Sequence, residues 1–232
     1  MKLKQISDRI WYYPYEDERD RPILGYIRGD RWSLAVDAGH SAAHVDEFYQ
    51  ALRYKGLPLP QLTVITHWHW DHSLGLHAIN GLSMANAKTN AYLNSLMKTI
   101  EVNGPDELLG LDISIQHEYS GNRPVIVKPA DIVFSDSISL DLGNCTVKLI
   151  RTAAPHTDDS TLVFIPSEKI LFMGDSTSGT FPTWKKDPEL CRKLADTLAD
   201  LDFSLAIGSH WDPETKAETL SDLRDAINRQ FD

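Results

Sequence analysis

Between Thr66 and His72 the chain reads Thr-His-Trp-His-Trp-Asp-His, which places His67, His69, Asp71 and His72 within six residues. Imidazole nitrogen and carboxylate oxygen are the donors that borderline divalent cations accept. Four such groups this close would repel one another or compete for protons unless a cation organised them. The cluster follows directly on the apolar run Leu62 to Thr66. Three more ligand-type residues stand at the ends of other apolar runs: His156 beyond Val147 to Ile150, Asp175 after Ile170 to Gly174, and His210 after Leu205 to Ser209. Four strands would thus deliver seven ligands. If their carboxyl ends share one sheet edge, the side chains converge, as ligand sites of α/β folds commonly do.

The elements that must position these residues can be read from the pattern around them. Gln5-Ile6, Ile10 to Tyr13, Ile23 to Ile27 and Trp32 to Val36, the last pair joined by a Gly29-Asp30 turn, read as hairpin-forming strands. Ser41 can cap a helix to about Tyr54, with Val45, Phe48 and Leu52 at helical spacing and Gly56 just beyond it. Pro58 and Pro60 reset the chain into the strand before the histidines. A short helix through Ile79, a strand at Leu82 to Ala85 and a helix from Thr89 to about Glu101 follow. Residues 103 to 128 have little periodicity and form the core of a helical and loop excursion around 88–130. Strands resume at Ile132 to Phe134, Ile138 to Leu142, Cys145 to Arg151, Thr161 to Ile165 and Lys169 to Met173. A helix over Pro188 to Leu201, a strand over Phe203 to Ile207 and a closing helix from Glu214 to Phe231 complete the chain. Strands then helix, twice over, predict a single domain over 1–232 with two sheets face to face and helices outside.

Composition narrows the function. Apolar content of 42% and charged content of 24% are globular values, and a net charge of -10, from 23 Lys+Arg against 33 Asp+Glu, argues against a nucleic-acid binder. No membrane partner is expected, because no run reaches the length of a membrane span, and the first residues lack the apolar core of a signal peptide. Cys145 and Cys191 offer no C-x-x-C knuckle; both read as reduced core thiols, so a cytoplasmic location is expected.

The H-x-H-x-D-H motif, with His156, Asp175 and His210, resembles the ligand set of the metallo-β-lactamase superfamily over nearly the whole chain. Ala35-Val36-Asp37-Ala38-Gly39 and Phe172-Met173-Gly174-Asp175 resemble further phrases of that family. The resemblance implies an αββα sandwich with a dinuclear site at one edge. By the family pattern His67, His69 and His156 would hold one metal, Asp71, His72 and His210 the second, and Asp175 would bridge them. Two divalent ions, zinc first with iron or manganese compatible, would activate water and polarise a carbonyl or phosphoryl oxygen. Asp71 would also be the catalytic carboxylate, accepting or relaying a proton. Asp37, Thr66, Ser160 and Ser176 are candidates to orient the ligands.

Family branches separate on particular residues. The best-known β-lactamases use cysteine where Asp175 stands, glyoxalase II-type thioesterases add a helical domain whereas only 22 residues follow His210, and flavodiiron-type domains replace the residue at His69 by glutamate. The expected function is a dinuclear hydrolase of a small ester, lactone or phosphodiester. The alternative is an oxidoreductase resembling persulfide dioxygenases, with one iron. In the segment Thr177 to Lys186, Phe181, Trp184, Lys185 and Lys186 are candidates for an aromatic wall and an anion-binding charge. The excursion residues His117, Tyr119 and Arg123 are candidates to close over the metals. His40, His44 and His77 read as helix or loop residues without a ligand role.

Overall fold

A computed structural model describes residues 2–121 and 123–228. The chain begins with β1 (Lys4–Gln5), β2 (Ile10–Tyr13), β3 (Leu24–Arg28) and β4 (Ser33–Val36), then α1 (Ala42–Tyr54), β5 (Leu62–Val64), α2 (Trp70–Ser73), β6 (Leu82–Asn86) and α3 (Ala87–Asn103). The excursion contains α4 (Asp106–Leu109) and α5 (Ile113–Glu118), two short helices where aperiodic chain was expected. They are only four and six residues long, too short to leave a helical period in the sequence. β7 (Ile132–Phe134), β8 (Ser137–Asp141), β9 (Thr146–Arg151), β10 (Thr161–Ile165), β11 (Ile170–Gly174), α6 (Pro188–Asp200), β12 (Leu205–Gly208), β13 (Glu214–Thr215) and α7 (Lys216–Asn228) follow.

The closing helix therefore starts two residues later than expected, because Glu214 and Thr215 pair with Ala206 and Leu205 before the chain turns helical. Its expected end, from 229 to 231, lies outside the described residues. Ser41 caps α1 as the sequence indicated, its side chain accepting from the amides of Ala43 and His44, a contact of roughly 1 kcal/mol.

Two sheets, of seven and six strands, are ordered β1-β2-β3-β4-β5-β6-β7 and β13-β12-β11-β10-β9-β8. Their pleats divide the apolar residues by parity. Val163, Ile165 and Phe172 join Leu34, Val36, Val64 and Met84 of the other sheet in one inner core. Leu162, Phe164 and Leu171 point the other way, onto Cys191, Leu194 and Leu198 of α6 and Leu223 of α7. Tyr13, Tyr26 and Ala35 pack outward on Val45, Phe48 and Leu52 of α1. This is the expected four-layer αββα sandwich, a period-2 pattern sorted into two faces. Both cysteines are buried and unbridged. No helix among the described residues is long and apolar enough to cross a membrane.

Candidate metal centre

β9 runs antiparallel to β10, and β10 antiparallel to β11, so β9 and β11 point the same way; β12 is parallel to β11. Their carboxyl ends therefore meet at one edge, where His156, Asp175 and His210 leave the sheet. The other sheet contributes the chain beyond β5, and the two edges are tied by the Thr161 amide donating to the Thr66 carbonyl at 2.7 Å. All seven candidate ligands come together there. Ligand atoms of His67, His69 and His156 lie within 4.8 Å of one another, and so do those of Asp71, His72, Asp175 and His210.

In the first group His69 Nδ1 stands 3.1 Å from His67 Nε2 and 2.8 Å from His156 Nε2. In the second, Asp71 Oδ2 is 2.9 Å from His72 Nε2 and 3.1 Å from His210 Nε2. Asp175 Oδ2 is 3.6 Å from His72 Nε2, from His156 Nε2 and from His210 Nε2. It thus faces ligands of both groups. Asp175 Oδ1 is buried with no hydrogen-bond partner, a costly arrangement for a carboxylate unless something positive answers it. Three converging imidazoles and that orphaned oxygen fit divalent metal binding, and either group could hold an ion.

The charges respond to this crowding. Burial, then the neighbouring His156, pushes the His69 imidazole down to about 3, and burial holds His67 well below its ordinary value. These rings are neutral and offer lone pairs. Burial would raise Asp71, but His72 and His210 outweigh it and hold the carboxyl well below its usual range. On His210 burial is outweighed by Asp175 and Asp71, which push it up to about 9.

Surrounding groups fix each ring. Asp37 Oδ2 is 2.8 Å from His72 Nδ1, while Asp37 also accepts from the Thr66 amide at 2.7 Å and the Thr66 hydroxyl at 2.9 Å. Thr66 Oγ1 lies 3.2 Å from His67 Nδ1. His156 Nδ1 donates to the Gly179 carbonyl at 2.7 Å, which leaves Nε2 as the ligand atom. Asp37 and Thr66 therefore take the orienting role expected of them, and Ser160 and Ser176 do not. Those two hydroxyls donate to the Thr157 and Met173 carbonyls within their own turns.

Asp159 was missed. Fully buried, it accepts from the Trp68 amide at 3.0 Å, between the first two histidines, and from the Thr89 and Thr157 hydroxyls. Asp20 was missed too; its Oδ1 sits 3.6 Å from His210 Nδ1, and burial, then Asp71, pushes its carboxyl up to about 7. Asp159 lies three residues past His156, a signal that could have been weighed, whereas nothing local marks Asp20.

Five ligands, His69, Asp71, His156, Asp175 and His210, open onto a cavity of about 290 Å³. Its walls include Phe181 and Trp184, as expected of that segment, but not Lys185 or Lys186. Thr180 and Lys185 pair in a tight antiparallel bridge whose turn residue Trp184 has φ 54°, and the chain carries the lysines away. Trp70 is buried and Trp68 partly so; both pack in the cluster that holds α3 and the excursion. His117, Tyr119 and Arg123 do not line the cavity. Tyr119 donates to the His40 carbonyl at 2.8 Å and Arg123 to the Glu118 carbonyl at 2.8 Å. His40 and His44 are fully buried and lie outside both ligand groups, and His77 closes its own turn on the Leu74 carbonyl at 2.8 Å. A larger hollow of about 620 Å³ beside α1, lined by Lys2, Tyr13, Glu47 and Tyr54 among others, contains none of the seven ligands.

Comparison with known proteins agrees with this architecture. Among solved structures, a metallo-beta-lactamase from Pontibacter korlensis is similar with a TM-score of 0.67 and 17% identity, covering 99% of each chain. The DIM-1 metallo-beta-lactamase gives a TM-score of 0.69 at 17% identity, again over 99% of each chain. The sec-alkyl sulfatase PisA1, as a double mutant, gives a TM-score of 0.73 at 13% identity over 98% of this chain and 41% of its own. At these identities the likeness concerns the fold. No curated protein matches. The family model described as the metallo-beta-lactamase superfamily matches residues 25–210, most of the chain and all seven candidate ligands, and the chain belongs to that superfamily.

Proposed function

We propose that the protein is a dinuclear metal-dependent hydrolase acting on an ester, lactone or phosphodiester of a small molecule. His67, His69 and His156 would hold one divalent ion, Asp71, His72 and His210 the other, and Asp175 both. The single observation that carries the reading is Asp175, whose Oδ2 is equally 3.6 Å from nitrogens of the two groups. A pair of divalent ions would supply Lewis acidity and a water acidic enough to attack at neutral pH. Zinc suits the donor set, and iron and manganese are compatible with it.

The chain's own residues do the rest. The neutral rings of His67 and His69 present lone pairs, Asp37 and the Gly179 carbonyl hold the rings of His72 and His156 in one orientation, and Asp71 would accept or relay a proton. Trp70, Phe181, Trp184 and Trp211 line the cavity in front of them. Buried, unbridged Cys145 and Cys191 agree with a reducing, cytoplasmic setting.

Elemental analysis with a panel of nitrophenyl esters, lactones and bis-nitrophenyl phosphate tests the reading. Two metals per chain with turnover of at least one substrate class is the expected result. One iron per chain with oxygen uptake on a persulfide would overturn it in favour of the dioxygenase alternative. His67→Ala and Asp175→Ala should each lose most bound metal and activity; a variant keeping both would refute the ligand assignment.

A further inference from the structure

The cavity in front of the ligands is walled by Trp70, Phe181, Trp184 and Trp211 and by two carboxylates, Asp17 and Asp20, that belong to neither ligand group. No lysine or arginine lines it among the described residues. Both carboxylates come from one turn, the 3-10 helix Asp17–Arg19 closed by Asp20 in the left-handed region at φ 48°, ψ 45°. The basic residues of that turn are engaged elsewhere. Arg19 pairs with Glu16 at 2.7 Å, and Arg21 is buried against Glu118 at 2.8 Å and Glu47 at 2.9 Å. The turn therefore shows the cavity only its negative side.

Aromatic rings line the rest of the cavity. Trp184 stacks on His156 at 6.1 Å with 19° between the planes, and Phe181 lies nearly perpendicular to both Trp70 at 5.1 Å and Trp184 at 5.8 Å. Ring faces beside carboxylates attract a cation, through the ring quadrupole and through direct charge. Two divalent ions would bring four positive charges; Asp71 and Asp175 offset two, and Asp17, with Asp20 where it is ionised, offsets part of the remainder. An anionic substrate gains little from such a cavity. A cationic one gains the carboxylates and the rings together.

We propose that this cavity selects carbonyl esters carrying an ammonium group, and disfavours phosphodiesters. The proposal rests on the hydrolytic reading above and narrows it. In the reaction, the oxygen of water bonds to the acyl carbon, the acyl carbon to alkoxy oxygen bond breaks, and a water proton ends on the departing alcohol. No oxidant or reductant is consumed.

The test compares acetylcholine with its uncharged isostere 3,3-dimethylbutyl acetate and with bis-nitrophenyl phosphate on the metal-loaded enzyme. KM for the cationic ester should be lower by about tenfold, a difference of about 1.4 kcal/mol. Asp17→Asn should shrink that ratio by about threefold and Asp17→Lys abolish it. Independently of turnover, choline should quench tryptophan fluorescence at concentrations where 3,3-dimethylbutanol does not. Equal KM values for the two esters, faster turnover of the phosphodiester, or equal quenching by the two alcohols would overturn the proposal. If neither the esters nor a lactone nor the phosphodiester is turned over, the hydrolytic reading fails, while the quenching comparison still decides whether the cavity prefers a cation.

Discussion

Asp37 Oδ2 stands 2.8 Å from His72 Nδ1, and Asp37 can reach that ring because its backbone is left-handed, at φ 64°. Aspartate is among the few residues that tolerate this region. The turn at the end of β4 thus aims a buried carboxylate across to the neighbouring strand exit, where it also receives both donors of Thr66. One carboxylate fixes the His72 ring directly and, through Thr66, touches His67.

Asp37→Asn keeps the shape but removes the charge that holds the His72 proton on Nδ1. Outer partners of this kind are worth about 10- to 100-fold in metal affinity. Competition with a chromophoric chelator should show a loss in that range, concentrated in the ion that His72 would hold. Unchanged affinity would mean that His72 needs no such partner.

Gly174 precedes Asp175 with φ +55°, and a Cβ there would come within 2.6 Å of Thr66 Oγ1. Gly174→Ala must therefore strain the backbone and push Thr66 off Asp37. A cost of about 1–3 kcal/mol is expected from the strained dihedral alone. Urea denaturation of the metal-free protein should show it, together with weaker metal binding. Stability lost without any change in metal affinity would show that Thr66 can shift without disturbing the ligands.

The seven candidate ligands were legible because each follows a strand at its carboxyl end and because imidazoles and carboxylates rarely crowd together without a cation. Asp37 was legible for the same reason of place, at the end of Ala35-Val36. The residues that support them were less so. Asp159 acts on Trp68, 91 positions earlier in the chain, and Asp20 meets His210 only after both sheets have packed. The lysines at 185 and 186 went the other way, because a hairpin turn at Trp184 directs the aromatic rings to the cavity and the chain beyond it outward. Local pattern sets the strand exits; loop geometry decides what faces the substrate.

Protonation should shape the stability of the metal-free protein. His69, at about 3 against an ordinary 6.5, stays neutral when folded, so the unfolded chain binds more protons between those values and stability falls as pH drops through that window. His67 acts in the same direction. His210, raised to about 9, does the opposite: its contribution is complete below 6.5 and is lost as pH rises through about 9. Thermal melts in chelator from about pH 5 to about pH 10 should therefore peak near neutrality. A melting temperature that climbs steadily to the alkaline end would contradict the charge states assigned to His210.

Arg21 and Glu118 form a buried bidentate pair, with Nε to Oε2 and one terminal nitrogen to Oε1 both at 2.8 Å. Ser41 adds a hydrogen bond to the same carboxylate. The pair joins the turn that carries Asp17 and Asp20 to α5 of the excursion, so it holds one wall of the cavity in place. Arg21→Met leaves Glu118 buried without its partner, a change worth about 3–5 kcal/mol. In a chain of this size that is a fall of roughly 10 °C in melting temperature. The double variant Arg21→Met with Glu118→Leu removes both charges and should recover much of the loss, since replacing a buried pair by apolar groups is often near neutral. If the pair only stabilises the fold, the double variant will also recover substrate affinity. If it positions the wall, KM will stay raised after stability returns while bound metal is unchanged, because the ligands stand on other elements.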